Sequence, residues 1–275
     1  MKLHARPSLA IFVFTLGLVA SDPSAAEDAK TFWTSVLKNC ASSDLNGNKI
    51  LYFGPSNNIG PGSIWLTGAD GGYQLRTTVT DTRALKAFLV RGTPTACSAT
   101  STTELKASAV ANLEPSLGIV SGDLSIDLKK AKSLEVQADS IAWDLLQTAQ
   151  YEHYVKHLRS DSIVRDDLDR GGRLVLSRAL RVTGYTASLE FSDSDAAALK
   201  AKYSGPLPKA ITGEFGGKLS ASWTSNNTLK LSSKSDFYIA GELSPYKSSG
   251  FAANGTPFGA PVDIDKSKPV TVDMK

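Results

Sequence analysis

The stretch "YEHYVKH", residues 151–157, carries two histidines four positions apart. On a helix that spacing sets His153 and His157 on one face, the placement by which two imidazoles can share a metal ion. The zinc-peptidase pattern H-E-x-x-H puts its glutamate directly after the first histidine. Here Glu152 precedes it. The two rings fall beside Gln150 and away from the apolar residues of the segment, so a solvated helix face is the simpler reading. His153 and His157 are the metal candidates that the sequence offers, and no metal or cofactor is expected.

Other chemistry is thinner still. "RSDSIVRDDLDRGGR" groups Asp161, Asp166, Asp167 and Asp169, but a calcium loop of the EF-hand type needs a glycine and a closing glutamate at fixed offsets. Asp167 and Asp169 fit the first two ligand positions only, the closing glutamate is missing, and Arg165, Arg170 and Arg173 interleave with the acids. A helix-to-strand connection held by surface ion pairs follows. The glycine-rich "GPSNNIGPGSIW" carries no lysine and runs into a strand-like segment, which excludes the phosphate-cradling loop. No G-x-S-x-G elbow occurs, and nothing singles out a catalytic carboxylate pair. The chain is expected to be non-enzymatic.

These residues must be carried by a scaffold, and the termini and cysteines bound its setting. Lys2 and Arg6 precede an apolar run from Leu9 to Ala20, and Ser24-Ala25-Ala26 offers small residues for cleavage. Residues 1–26 therefore read as an export signal, too short to span a bilayer as a helix. The expected location is secreted or periplasmic. In such a compartment the two cysteines, Cys40 and Cys97, are expected to be bridged. A formal net charge of +3 with no basic cluster argues against nucleic acid.

Along the mature chain, residues 28–40 space Phe32, Val36 and Leu37 as a short amphipathic helix, with Trp33 beside them. Short β-type runs follow (50–53, 63–67, 73–79), then two more across 104–128. A helix is expected from Asp139 onward, with Ile141, Leu145, Ala149 and Val155 on one stripe. "RLVLSRALRVTGYTASLEF", residues 173–191, alternates with period two over an unusual length, Leu174, Leu176, Leu180 and Val182 on one parity. A capped helix over "SDSDAAALKAKY" and a hairpin turning at Asn226-Asn227 come next. The fold class is α+β: a twisted, mainly antiparallel sheet with long strands and a few packed helices. One domain is expected over 27–245, followed by a Gly/Pro-rich tail, 246–275, with a possible edge strand.

The order of segments from about 122 to 245 resembles the pore-forming N-terminal domain of gasdermins. The residues that carry this are "SGDLSIDLKKAKSLEVQADSIAWDLLQTAQYEHYV", the long strand at 173–191, and the closing "GKLSASWTSNNTLKLSSKSDFYIAGEL". The resemblance implies a twisted central sheet whose long strands insert into membranes on oligomerisation. The chain departs from that family in its export signal, in a short tail where an inhibitory domain would follow, and in a first helix without dense basic residues. The leading expectation is an exported binding or interaction protein with an unknown protein or lipid partner, and a membrane surface as one candidate. A membrane-active, oligomerising pore former is the alternative, and a secreted enzyme with an unrecognised site is the third.

Overall fold

The structure, a computed structural model, describes residues 33–34, 37, 40, 47–79, 82–97, 130–202, 211–212, 218–233, 235–248, 257–265, 268 and 270–272. The expected export signal and the runs over 104–128 lie outside the described residues. In chain order the strands are β1 (Ile50–Ser56), β2 (Ile64–Thr67), β3 (Tyr73–Thr77), β4 (Leu89–Val90), β5 (Thr95–Ala96), β6 (Ala131–Gln137), β7 (Ser140–Leu146), β8 (Arg173–Thr183), β9 (Thr186–Phe191), β10 (Ile211–Thr212), β11 (Lys218–Trp223), β12 (Thr228–Ser232), β13 (Phe237–Tyr246) and β14 (Val270–Val272). The helices are α1 (Thr82–Phe88), α2 (Thr148–His157), α3 (Ile163–Asp169) and α4 (Asp193–Lys202).

Two sheets result, and the α+β class with a mainly antiparallel sheet holds. The first runs β1-β13-β8-β2-β3-β14, with β7 on β8 and the short β4 and β5 on β7. The second runs β10-β11-β12-β9-β6. Pairing is antiparallel throughout, save for β14, which lies parallel to β3. Residues 257–265 lead to it along the first sheet: Val262 N–H donates to the Leu243 carbonyl at 2.9 Å and Ile264 N–H to the Asn48 carbonyl at 2.8 Å.

β8 is the axis of the first sheet. One edge pairs along its length with β13, while the other is shared by β2 near Arg173–Val175 and by β7 from Arg178 to Thr183. Its alternation is interrupted where the register to β13 skips Ser177. The bulge swaps faces: Leu174 and Leu176 join one core cluster, Leu180 and Val182 another. The single apolar stripe expected across Leu174–Val182 is therefore split. Ser177 fastens the bulge, its hydroxyl donating to the Glu242 carbonyl at 3.1 Å and accepting from Ser244 at 2.9 Å.

The helix expected from Asp139 starts later. Ser140–Leu146 is strand β7, and the chain turns helical only at Thr148. Ile141 and Leu145 share a face at a spacing of four in a helix and also in a strand, so the stripe did not discriminate. The open edge of β8 decides, offering β7 a continuous ladder. On α2 the buried residues are Tyr151 and Val155, packed with Phe88, Tyr246 and Phe258 in an aromatic cluster.

Burial of tyrosines has a measurable consequence. It pushes the Tyr52 hydroxyl from 10.0 up to about 12, partly offset by Thr34. Tyr246 also rises to about 12, by burial and then by the nearby Glu152 and Asp169 carboxylates. Tyr151, Tyr185 and Tyr238 rise further, burial being the main cause in each. An acid with a raised folded-state pKa stabilises the fold below its unfolded value and loses that contribution as pH climbs through the folded one. Stability should thus be level up to about pH 10 and fall between 10 and 12. In a stepped ultraviolet titration, tyrosinate absorbance should rise together with loss of circular dichroism; five hydroxyls ionising near 10 with the fold intact would contradict this.

Candidate functional site

The long strands come in pairs that cross from one sheet to the other. β6 continues into β7 and β8 into β9, and they form a two-stranded ribbon in one register, from Ser133↔Glu190 to Leu145↔Arg178. The ribbon bends at Ala138–Asp139 and Gly184–Tyr185. Asp139 N–H donates to the Thr183 carbonyl at 2.9 Å across the bend. Gly184 has φ +68°, and a Cβ there would run into the Asp139 carboxylate, so no larger residue fits.

The bend reconciles two patterns. In β6, past the register shift that follows Ala131, the buried residues are even-numbered (Leu134, Val136), whereas the core residue Ile141 in β7 is odd. In β9 they are odd (Ala187, Leu189, Phe191), whereas Leu180 and Val182 in β8 are even. A straight ribbon would point these sets to opposite sides. The bend turns both into one core cluster.

The second sheet is divided cleanly. Leu134, Val136, Ala187, Leu189, Leu229 and Leu231 are buried on one side. Their neighbours Glu135, Gln137, Ser188, Glu190 and Lys230 alternate with them on the other. The apolar side is covered by Trp33, Leu37 and Cys40 and by Ala196 of α4. Cys40 is bonded to Cys97, and Cys97 N–H donates to the Asp139 carbonyl at 2.9 Å. The bridge thus ties this cover to the bend, and a stable disulfide suits an oxidising compartment.

Beside the bend, on the first sheet, lies a buried charge cluster. Asp144 of β7 is fully buried. It accepts from Arg181 Nε at 3.0 Å, Arg91 at 2.9 Å, Gly92 N–H at 2.9 Å and the Tyr238 hydroxyl at 2.7 Å. Arg181 also reaches Asp236 at 3.1 Å and the Gly92 carbonyl at 3.2 Å. Gly92 sits so close that a Cβ would strike the Trp143 carbonyl. Oδ2 accepts from Arg181, Arg91 and Tyr238 and Oδ1 from Gly92 N–H, so the carboxylate joins β7, β8, β13 and the β4–β5 link. The cluster cross-links the strands of the first sheet around a fully buried carboxylate.

Residues singled out in the sequence fall as follows. His153 and His157 stand on the exposed side of α2 with their rings 4.1 Å apart. Among the grouped acids, Asp161, Asp166 and Asp169 pair at the surface with Arg159, Arg170 and Arg165. Asp167 is buried instead, accepting from Thr77 at 2.5 Å and from Arg173 at 3.4 Å. The glycine-rich loop is part of the first sheet: Gly62 N–H donates to the Leu176 carbonyl at 2.8 Å, between the β2 and β7 stretches of the β8 edge. Among the described residues no helix is long and apolar enough to cross a membrane, and no group of three or more metal-ligating side chains occurs.

No protein-family description matches the chain, and no curated protein matches it. Among solved structures the chain is similar to a bacterial gasdermin from Bradyrhizobium tropiciagri, at 14% identity and a TM-score of 0.42. The match covers 86% of this chain and 99% of that one. The resemblance to gasdermins is one of layout, and it extends over most of both chains.

Proposed function

We propose that this is an exported, non-catalytic protein that acts at a membrane surface, with the second sheet as the part that meets lipid. The observation that carries the reading is the division of that sheet into one apolar and one polar face, the apolar face being covered by segments of the same chain. A lipid-embedded sheet needs the same division along each strand. The segment order of residues 122–245, which resembles that of gasdermins, implies the same behaviour.

The parity change at the bend limits which strands can serve. A straightened ribbon would present apolar residues on opposite sides before and after Asp139, so β7 and β8 remain in water. The strands β6, β9, β11 and β12 are 5–7 residues long, below the ~9–11 that span a bilayer. Spanning then requires them to lengthen on assembly with other copies. This shortness favours a second reading, a soluble interaction protein whose partner is another protein.

Dye release from vesicles of anionic and of neutral lipid, with flotation of the same samples, separates the two. Protein purified after export should float with the vesicles and release dye. Flotation without release would restrict it to the membrane surface. Neither flotation nor release would sink the membrane reading and leave the interaction protein.

A further inference from the structure

We propose that His153 and His157 form a two-imidazole site for a borderline transition-metal ion, such as zinc, nickel or copper, on the exposed side of α2. The ring centroids are 4.1 Å apart and the planes are tilted by 36°, so the two imidazoles already stand side by side. His157 Nδ1 lies 2.7 Å from the His153 carbonyl oxygen. A carbonyl can only accept, so Nδ1 carries the proton and the free lone pair of His157 is on Nε2. Metal-bound histidines usually have this arrangement, one ring nitrogen donating to a carbonyl and the other binding the ion.

The helix beneath is fixed. Tyr151 is fully buried and its hydroxyl donates to the Gly62 carbonyl at 3.0 Å, with Val155 buried one turn on. The backbone that carries the two histidines is therefore set, and the His157 ring is held further by its bond to the His153 carbonyl, which reduces the ordering needed on binding. The adjacent cation, Lys156, is paired with Glu152 at 2.6 Å, which reduces its repulsion of an incoming ion. Among the described residues no third His, Cys, Asp or Glu completes a larger group, so water fills the remaining positions. Imidazole nitrogens suit zinc, nickel and copper; magnesium and calcium prefer oxygen. The site is independent of the membrane reading, and its failure would leave that reading untouched.

Calorimetric titration of tag-free protein with zinc chloride and nickel chloride, with magnesium chloride as the control, tests it. One zinc or nickel ion should bind per chain and magnesium should not. Loss of a group that merely supports a metal ligand costs roughly 10- to 100-fold in affinity, so His153→Ala and His157→Gln should each weaken binding at least tenfold. Both side chains are exposed, so the metal-free melting temperature and helical signal of the variants should match the parent. No uptake by the parent chain, or unchanged uptake in either variant, would overturn the site.

Discussion

Asp144→Ala is expected to lower the melting temperature by roughly 10 °C. The carboxylate is fully buried and takes four hydrogen bonds, two of them from arginines. Taking charges out of water is costly, and the cost is met here only because Asp144 faces Arg181 and Arg91 together. Removing one partner leaves Arg181, itself only 9% exposed in its side chain, without its closest counter-charge; Asp236 at the surface remains. Breaking a buried pair in this way costs about 3–5 kcal/mol. Arg91 is 57% exposed, so Arg91→Ala should cost far less, within about 1 kcal/mol. Thermal melts of the two variants side by side check the ranking. Equal losses would mean that Arg91, and not the buried Asp144–Arg181 pair, holds the link between β4 and β5 in place.

The second large effect is expected from the disulfide. Cys97→Ser, or reduction of the parent protein, should lower stability by about 4 kcal/mol in the chain-entropy account of a loop this long; the bonded cysteines are 57 positions apart. The loss should exceed a pure loop-closure effect in one respect. Cys40 sits with Trp33 and Leu37 on the apolar side of the second sheet, so their exposure should bring binding of an apolar dye before global unfolding. Urea unfolding with and without reductant, with dye fluorescence recorded alongside, measures both. Two titratable thiols in the unreduced, denatured protein would show that the bond is absent, and an unchanged urea midpoint after reduction would show that it carries no stability.

The parts of this fold that were legible in the sequence were those with a period that only one element satisfies. The alternation of β9 and the capped, alanine-rich α4 were of this kind, and the bridge between Cys40 and Cys97 followed from there being two cysteines in an exported chain. The residues 139–146 were not, because a spacing of four fits both a helix and a strand, and only the waiting edge of β8 resolves it. The bulge at Ser177 was hidden for a related reason: the alternation of Leu174, Leu176, Leu180 and Val182 looks unbroken unless the partner strand is known. α1 is seven residues long, too short for a periodic signal. The buried cluster left a trace that went unread. A lone aspartate inside "SIAWDLL" and a lone arginine inside "ALRV" are charges in otherwise apolar strands, and such charges are seldom buried unless they meet. The metal candidates His153 and His157 were legible as a pair, but the hydrogen bond that leaves Nε2 of His157 free was not.

The parallel strand β14 joins residues about 200 positions apart, Val270 lying against Tyr73. Contacts so distant along the chain form late. During synthesis, therefore, β3 is complete long before its outer neighbour exists, and its backbone groups stay open to any other strand that passes. β3 can gain this neighbour only after residue 272 has left the ribosome. A chain stalled short of that point would leave the five residues of β3 as the outer edge, where the three-residue β14 otherwise stands.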